Sequence, residues 1–178
     1  MSFRVAKRAP RIGAEIRNIK LSGDLPDATI AAINGLLLDH KVIFFRDQGH
    51  LDDAEHERFT LRFGKPVLSP TLNPAKETIS ILEIDHPRGG FRTDTWHIDF
   101  AYLDAYPKIL VLRGVVIPPV GGDTVWSNTA AANLGLPAPL QRLANDLWAV
   151  HSNDYDFAVF ARATEAEKKV HDEALVFT

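Results

Sequence analysis

With no cysteine in the chain, acid–base, nucleophilic or metal chemistry falls to seven histidines and the carboxylates. The most suggestive short spacing is His-x-Asp, in Thr95-Trp-His-Ile-Asp-Phe-Ala-Tyr. On an extended strand residues i and i+2 project from one face, so His97 and Asp99 can reach a common ion. They would then form two legs of a 2-His-1-carboxylate triad, the arrangement that holds Fe(II) by one face and leaves neighbouring positions for oxygen and a bidentate co-substrate. Spacing alone is weak evidence: seven His and fifteen Asp in 178 residues give about 0.6 such pairs by chance, and a second occurs at His50-Leu-Asp52. There the aspartates read as the cap and first turn of a helix, leaving His50 at the surface. Trp96, Phe100 and Tyr102 bracket His97 and Asp99, so buried polar side chains there need strong partners. A metal would satisfy that need, and so would a paired His and Asp in a core.

The elements that must position these residues are read from periodicity. Helices are expected over Asp27–His40, with Ile30, Ile33, Leu37 and Leu38 on one stripe; over 52–63, behind the Asp52-Asp53 cap; over Pro137–Leu147; and over Thr164–Asp172. Strands are expected in the apolar runs 41–45, 78–84, 109–117 and 147–151, where β-branched and aromatic residues concentrate. The spacers Gly64–Glu77 and Asp85–Thr95 are too polar and proline-rich for core helices and read as loops. Gly121-Gly122 reads as a turn. The mixture favours an antiparallel α+β arrangement over a doubly wound parallel sheet.

Composition narrows the function classes. Hydrophobic residues make up 46% and charged residues 24%, as in an ordinary globular domain. Twenty Lys and Arg against 23 Asp and Glu give a net charge of -3, which lacks the one-sided basic field that nucleic acid or an anionic membrane requires. No apolar stretch is long enough to span a bilayer and no leader pattern opens the chain, so the expected location is the cytoplasm. Neither a G-x-G-x-x-G nor a Walker loop signals a nucleotide.

Several ordered segments resemble the taurine dioxygenase family of Fe(II)- and 2-oxoglutarate-dependent oxygenases. They are Ile12-Gly-Ala-Glu-Ile with Leu21–Leu25, His40-Lys-Val-Ile-Phe-Phe-Arg-Asp-Gln, Arg62-Phe-Gly, Trp96-His-Ile-Asp-Phe and Pro119-Val-Gly-Gly-Asp-Thr-Val-Trp-Ser-Asn-Thr. The segment Leu147-Trp-Ala-Val-His-Ser-Asn-Asp-Tyr-Asp-Phe is similar to members that cleave alkyl sulfates. The resemblance implies a double-stranded β-helix, or jelly roll, with flanking helices, in a single domain over residues 1–178 that corresponds to the N-terminal portion of the family chain. It implies Fe(II) held by His97 and Asp99, and 2-oxoglutarate whose carboxylate is bound by Thr124. The second metal histidine and the 2-oxoglutarate arginine have no clear counterpart. His151, eleven positions before Arg162, has about the right separation, but its surroundings resemble the strand before the lid region. His171 reads as solvated surface. Ser69 and Thr93 replace a histidine and an asparagine of taurine-binding members, which points away from taurine. Trp126, Tyr155 and Phe157 either line a pocket or belong to a core.

Two functions follow. One is a dioxygenase that hydroxylates a small organic acid of the alkyl sulfate, sulfonate or aryloxyalkanoate class, releasing succinate and carbon dioxide, with oxygen and a small-molecule substrate as partners and a homo-oligomer as the assembly. The other is a catalytically incomplete remnant that serves as a binding or oligomerisation module, with iron content per chain to separate the two.

Overall fold

The computed structural model describes residues 3–69, 73–85 and 95–152. Two compact units divide the chain: Met1–Gly64 with Val111–Trp148, and Lys65–Leu110 with Ala149–Thr178. Every helix and strand of the described residues lies in the first unit.

That unit is built on a three-stranded sheet in the order β1-β2-β3, comprising β1 (Arg4–Lys7), β2 (Ala14–Arg17) and β3 (Ile43–Phe44). β1 and β2 form an antiparallel hairpin with Val5 opposite Ile16 and Ala6 opposite Glu15. β3 adds in parallel, with Ala14 opposite Ile43, after helix α1 (Asp27–His40) has carried the chain back. A parallel neighbour requires such a crossover. The sequence reading placed no strand at β1 or β2, because Arg-Val-Ala-Lys and Ala-Glu-Ile-Arg are short and interrupted by charge.

α1 buries Ile30 and Ile33, while Leu38 lies exposed, 62% open, contrary to the four-residue stripe expected. At 100° per residue Leu38 stands one step round from the Ile30, Ile33, Leu37 face. Lys41 ends α1 in the left-handed conformation (φ 67°), its N–H bonded to the Leu37 carbonyl at 2.7 Å. Helix α2 (Asp53–Leu61) begins as its sequence suggests: the Asp52 carboxylate accepts the Glu55 N–H at 2.8 Å, and His50 is exposed with Nε2 2.9 Å from the Leu21 carbonyl. Leu21, Ile30, Ile33, Leu51 and Phe59 form the core, joined at its edge by Ile43, Phe45, Phe63 and Val111. Phe59 and Phe63 pack edge to face, centroids 5.2 Å apart.

Polar side chains fasten α2 to the segment before α1. Glu55 Oε1 accepts from Ser22 Oγ at 2.7 Å and from the Gly23 N–H at 2.8 Å, and Arg62 donates to the Leu25 carbonyl at 2.7 Å and to Asp27 at 2.6 Å. Gly23 is required there, because a Cβ would fall 2.8 Å from Arg58 Cβ. Ser22 and Gly23, with Arg58, hold the Glu55 carboxyl below the usual range.

His56 is buried on α2, and neither ring nitrogen has a hydrogen-bond partner among the described residues. Burial pushes its pKa below the ordinary 6.5, and the positive charge of Arg113 adds to this. The Val111 backbone and the carboxylates of Asp53 and Glu57 oppose it more weakly. Since the unfolded chain takes up this proton more readily, stability is full above pH 6.5 and falls as the pH drops below that value. The urea midpoint is expected to decline from pH 7 to 5 in the wild type and to flatten in His56→Leu over that window. Equal slopes in the two proteins would refute the assignment.

The second half of this unit carries α3 (Thr129–Leu134) and α4 (Ala138–Asn145). α3, which the sequence reading passed over, is capped by Asn128, whose Oδ1 accepts from Ala131 N at 3.0 Å while its Nδ2 donates to the Arg11 carbonyl at 2.7 Å. α4 matches the helix expected after Pro137.

Three expected strands are not formed. Residues 78–84, 109–117 and 147–151 are irregular, with Ile79, Leu112 and Trp148 exposed. Branched apolar runs favour extended backbone, but a strand needs a neighbour that takes its N–H and C=O groups in a regular ladder, and among the described residues these runs join no sheet, though Ala75 N bonds the Ile81 carbonyl at 2.7 Å. The expectation for 41–45 contracts to Ile43–Phe44. The helix expected over 164–172, with Tyr155, Phe157, Arg162 and His171, lies outside the described residues, as does Thr93.

Candidate functional site

His97 and Asp99 lie in the second compact unit, on an irregular segment that ends in a turn at Asp99 and not on the expected strand. Their two-residue spacing still places both side chains together, with His97 Nε2 2.9 Å from Asp99 Oδ1. The other ring nitrogen, Nδ1, is 2.8 Å from the Thr95 carbonyl. A carbonyl only accepts, so Nδ1 carries the hydrogen and Nε2 is the nitrogen that faces the carboxylate. A 2.9 Å approach of this kind is made either by a proton shared between the two groups or by a cation that both hold.

The turn behind Asp99 fixes this geometry. Ala101 N bonds to the Ile98 carbonyl at 3.3 Å and Leu103 N to that of Phe100 at 3.0 Å, with Phe100 at φ 54°. A left-handed aromatic residue is costly and persists where its surroundings hold it. The Phe100 ring lies 6.2 Å from that of Tyr102. His97 and Asp99 are 53% and 43% exposed, so the aromatic bracket does not bury them.

The separation fits a metal centre. Two ligands bound at right angles to a first-row ion, each with a bond of about 2.1 Å, stand about 3.0 Å apart. The hydrogen on Nδ1, held by a backbone carbonyl, is the second contact that orients a metal-binding imidazole. Sequence reasoning missed Thr95 because a backbone carbonyl leaves no mark in residue types. Among the described residues no group of three His, Asp or Glu is placed to hold an ion, so His151, which is exposed, does not join the pair.

Thr124 lies in the first unit, exposed, just beyond Gly121 and Gly122. Both glycines are left-handed (φ 84° and 72°), so this is the turn expected from the sequence, in a form that other residues resist. Trp126 packs edge-on to Phe44 of β3, centroids 5.6 Å apart, and is therefore anchored to the sheet.

Comparison with known proteins gives the chain's family. A crystal structure of a taurine dioxygenase from Burkholderia xenovorans superposes with a TM-score of 0.63 at 31% identity, over 85% of this chain and 54% of that one, which defines the fold class. The model of the taurine catabolism dioxygenase TauD, TfdA family matches residues 4–178, and the chain belongs to that family. Among curated relatives, an alpha-ketoglutarate-dependent sulfate ester dioxygenase from Pseudomonas putida is 54% identical over 84% of this chain and 50% of its own length. An alkylsulfatase from Acinetobacter baylyi is 47% identical over 93% of this chain and 52% of its own. The chain thus spans about half the length of these relatives. No helix of the described residues is long and apolar enough to cross a membrane.

Proposed function

We propose that the chain contributes two metal ligands, His97 and Asp99, to an Fe(II)- and 2-oxoglutarate-dependent dioxygenase acting on small organic acids, with alkyl sulfate esters as the leading class. The observation that carries this reading is the 2.9 Å approach of His97 Nε2 to Asp99 Oδ1, with the imidazole oriented by the Thr95 carbonyl. Sulfate esters lead because the relatives named for them are 54% and 47% identical, against 29% for a sulfonate dioxygenase from Saccharomyces cerevisiae and 26% for a 2,4-dichlorophenoxyacetate dioxygenase from a Burkholderia strain.

In this reading Nε2 and the carboxylate hold the ion, the Thr95 carbonyl fixes the tautomer, and the left-handed turn at Phe100 holds Asp99 to its partner. When bound, the iron and its keto acid would supply the chemistry by which O2, the oxidant, turns a C–H bond into C–OH, its other oxygen atom going into succinate as the keto acid loses carbon dioxide. A hydroxyl on the carbon that bears the sulfate oxygen lets that ester bond break and release sulfate. The Thr124 hydroxyl donates to a carboxylate of 2-oxoglutarate. The finer architecture is a jelly roll, supported by the likeness to the solved taurine dioxygenase, and the location is the cytoplasm, in keeping with a cysteine-free chain. Self-association is included, since Val115, Val116, Ile117, Leu140, Leu143 and Trp148 lie exposed.

Anaerobic titration of the 178-residue chain with Fe(II), followed by succinate release in the presence of an alkyl sulfate, tests the reading. One bound iron per chain and sulfate-ester-dependent succinate support it. Stable chain without iron supports the remnant reading. Thr124→Ala is expected to weaken 2-oxoglutarate about ten- to a hundredfold, the worth of about 1.5–3 kcal/mol for one donor to a carboxylate, with iron binding unchanged. Unchanged 2-oxoglutarate affinity would remove Thr124 from the site.

A further inference from the structure

The middle of the sheet holds a charged feature that the metal centre does not use. Glu15 of β2 is buried, its side chain only 4% exposed, and three arginines share its carboxylate. Arg17 donates from Nε to Oε1 at 2.7 Å, Arg46 from Nε to Oε2 at 3.3 Å, and Arg8 pairs with Oε2. One negative charge against three positive ones leaves the cluster strongly cationic. Two of the guanidiniums are held by Nε, so their terminal N–H groups have no hydrogen-bond partner among the described residues. Arg17 and Arg46 are 44% and 72% exposed. A buried carboxylate thus orients the two forks while their outer donors face solvent.

Arg17 and Arg46 line a cavity of about 590 Å³ together with Glu15, Asn18, Lys20, Asp47 and Gln48. Lys20 offsets Asp47, so the cationic excess persists along the wall. The rim is held in place by its backbone. Asn18 and Asp47 are both left-handed (φ 64° and 59°). The Gln48 side chain donates to the Ile19 and Arg46 carbonyls at 3.1 and 2.6 Å and accepts from Leu21 N at 2.8 Å, bridging the two segments that carry the arginines. Forks fixed before a ligand arrives lose little freedom on binding, and paired N–H donors match the oxygens of a tetrahedral anion.

We propose that this cavity binds a tetrahedral oxyanion, sulfate or phosphate, free or at the end of a small molecule. Its volume exceeds what one such anion fills, which leaves room for an attached organic part. The site is independent of the iron ligands and does not rest on the dioxygenase reading.

Calorimetric titration of the full 178-residue chain, in chloride buffer at constant ionic strength, tests it with three probes: inorganic sulfate, inorganic phosphate and butyl sulfate. Saturable binding of at least one probe to one site per chain is expected, weakened at least about tenfold in Arg17→Ala/Arg46→Ala, and the tightest probe identifies the source. If that variant fails to fold, amide shifts of the wild type under the same titration decide the question, with Arg17, Asn18, Lys20 and Asp47 expected to move and to saturate together. Absence of saturable binding by all three probes, binding unaltered in the folded double variant, or saturating shifts confined to other residues would overturn the proposal.

Discussion

Alanine at position 97 is expected to cost the chain its iron. In the proposed centre the imidazole is one of two ligands, its Nε2 2.9 Å from Asp99 Oδ1, and no third His, Asp or Glu joins them among the described residues. If the proposal holds, removing the imidazole deletes a metal bond, and it leaves the carboxylate without its partner. Disturbing a contact behind a ligand already costs about ten- to a hundredfold in affinity, so loss of the ligand itself is expected to exceed a hundredfold. Succinate formation should vanish with it. Asp99→Ala is expected to do the same, whereas His50→Ala, which removes an exposed histidine bonded to the Leu21 carbonyl, should leave iron binding intact. Full iron content in His97→Ala would end the metal assignment.

Ile33→Ala is expected to have the largest effect on stability. Ile33 is 2% exposed and packs with Leu21, Ile30, Leu51 and Phe59 between α1 and α2. Truncating a buried isoleucine costs about 2–5 kcal/mol in lost burial and cavity formation. Alanine is the better helix former, so any helix-propensity change acts in the opposite direction. Leu38→Ala on the same helix, at an exposed position, should shift stability by less than about 0.5 kcal/mol. Denaturant midpoints of the two variants check the contrast, and similar losses would mean that α1 does not bury the face assigned to it.

How far these features were legible in the sequence depends on where the determining interaction lies. α1 and α2 could be read closely because their signals are local: a 3.6-residue apolar spacing in one and an aspartate cap in the other. The proximity of His97 and Asp99 was legible from their two-residue spacing, although the segment is irregular and ends in a turn instead of forming the expected strand. β2 was not legible, because its buried Glu15 is stabilised by arginines brought from β1's end and from beyond β3, a match that only the fold creates. The overstated strands at 78–84 and 109–117 show the converse, since propensity within a run says nothing about whether a neighbour exists to pair with it.

The order of the strands also bears on the route to the folded state. β1 and β2 join through the short connection 8–13, whereas β3 reaches β2 only after α1 has carried the chain back to the sheet. Contacts between distant parts of a chain form late because loop closure must precede them. The hairpin and α1 can therefore nucleate separately, and docking of Ile43 and Phe44 against Ala14 and Glu15 becomes the step that commits the unit. Substitutions in β3 should slow folding, while those at the hairpin's open edge should chiefly hasten unfolding.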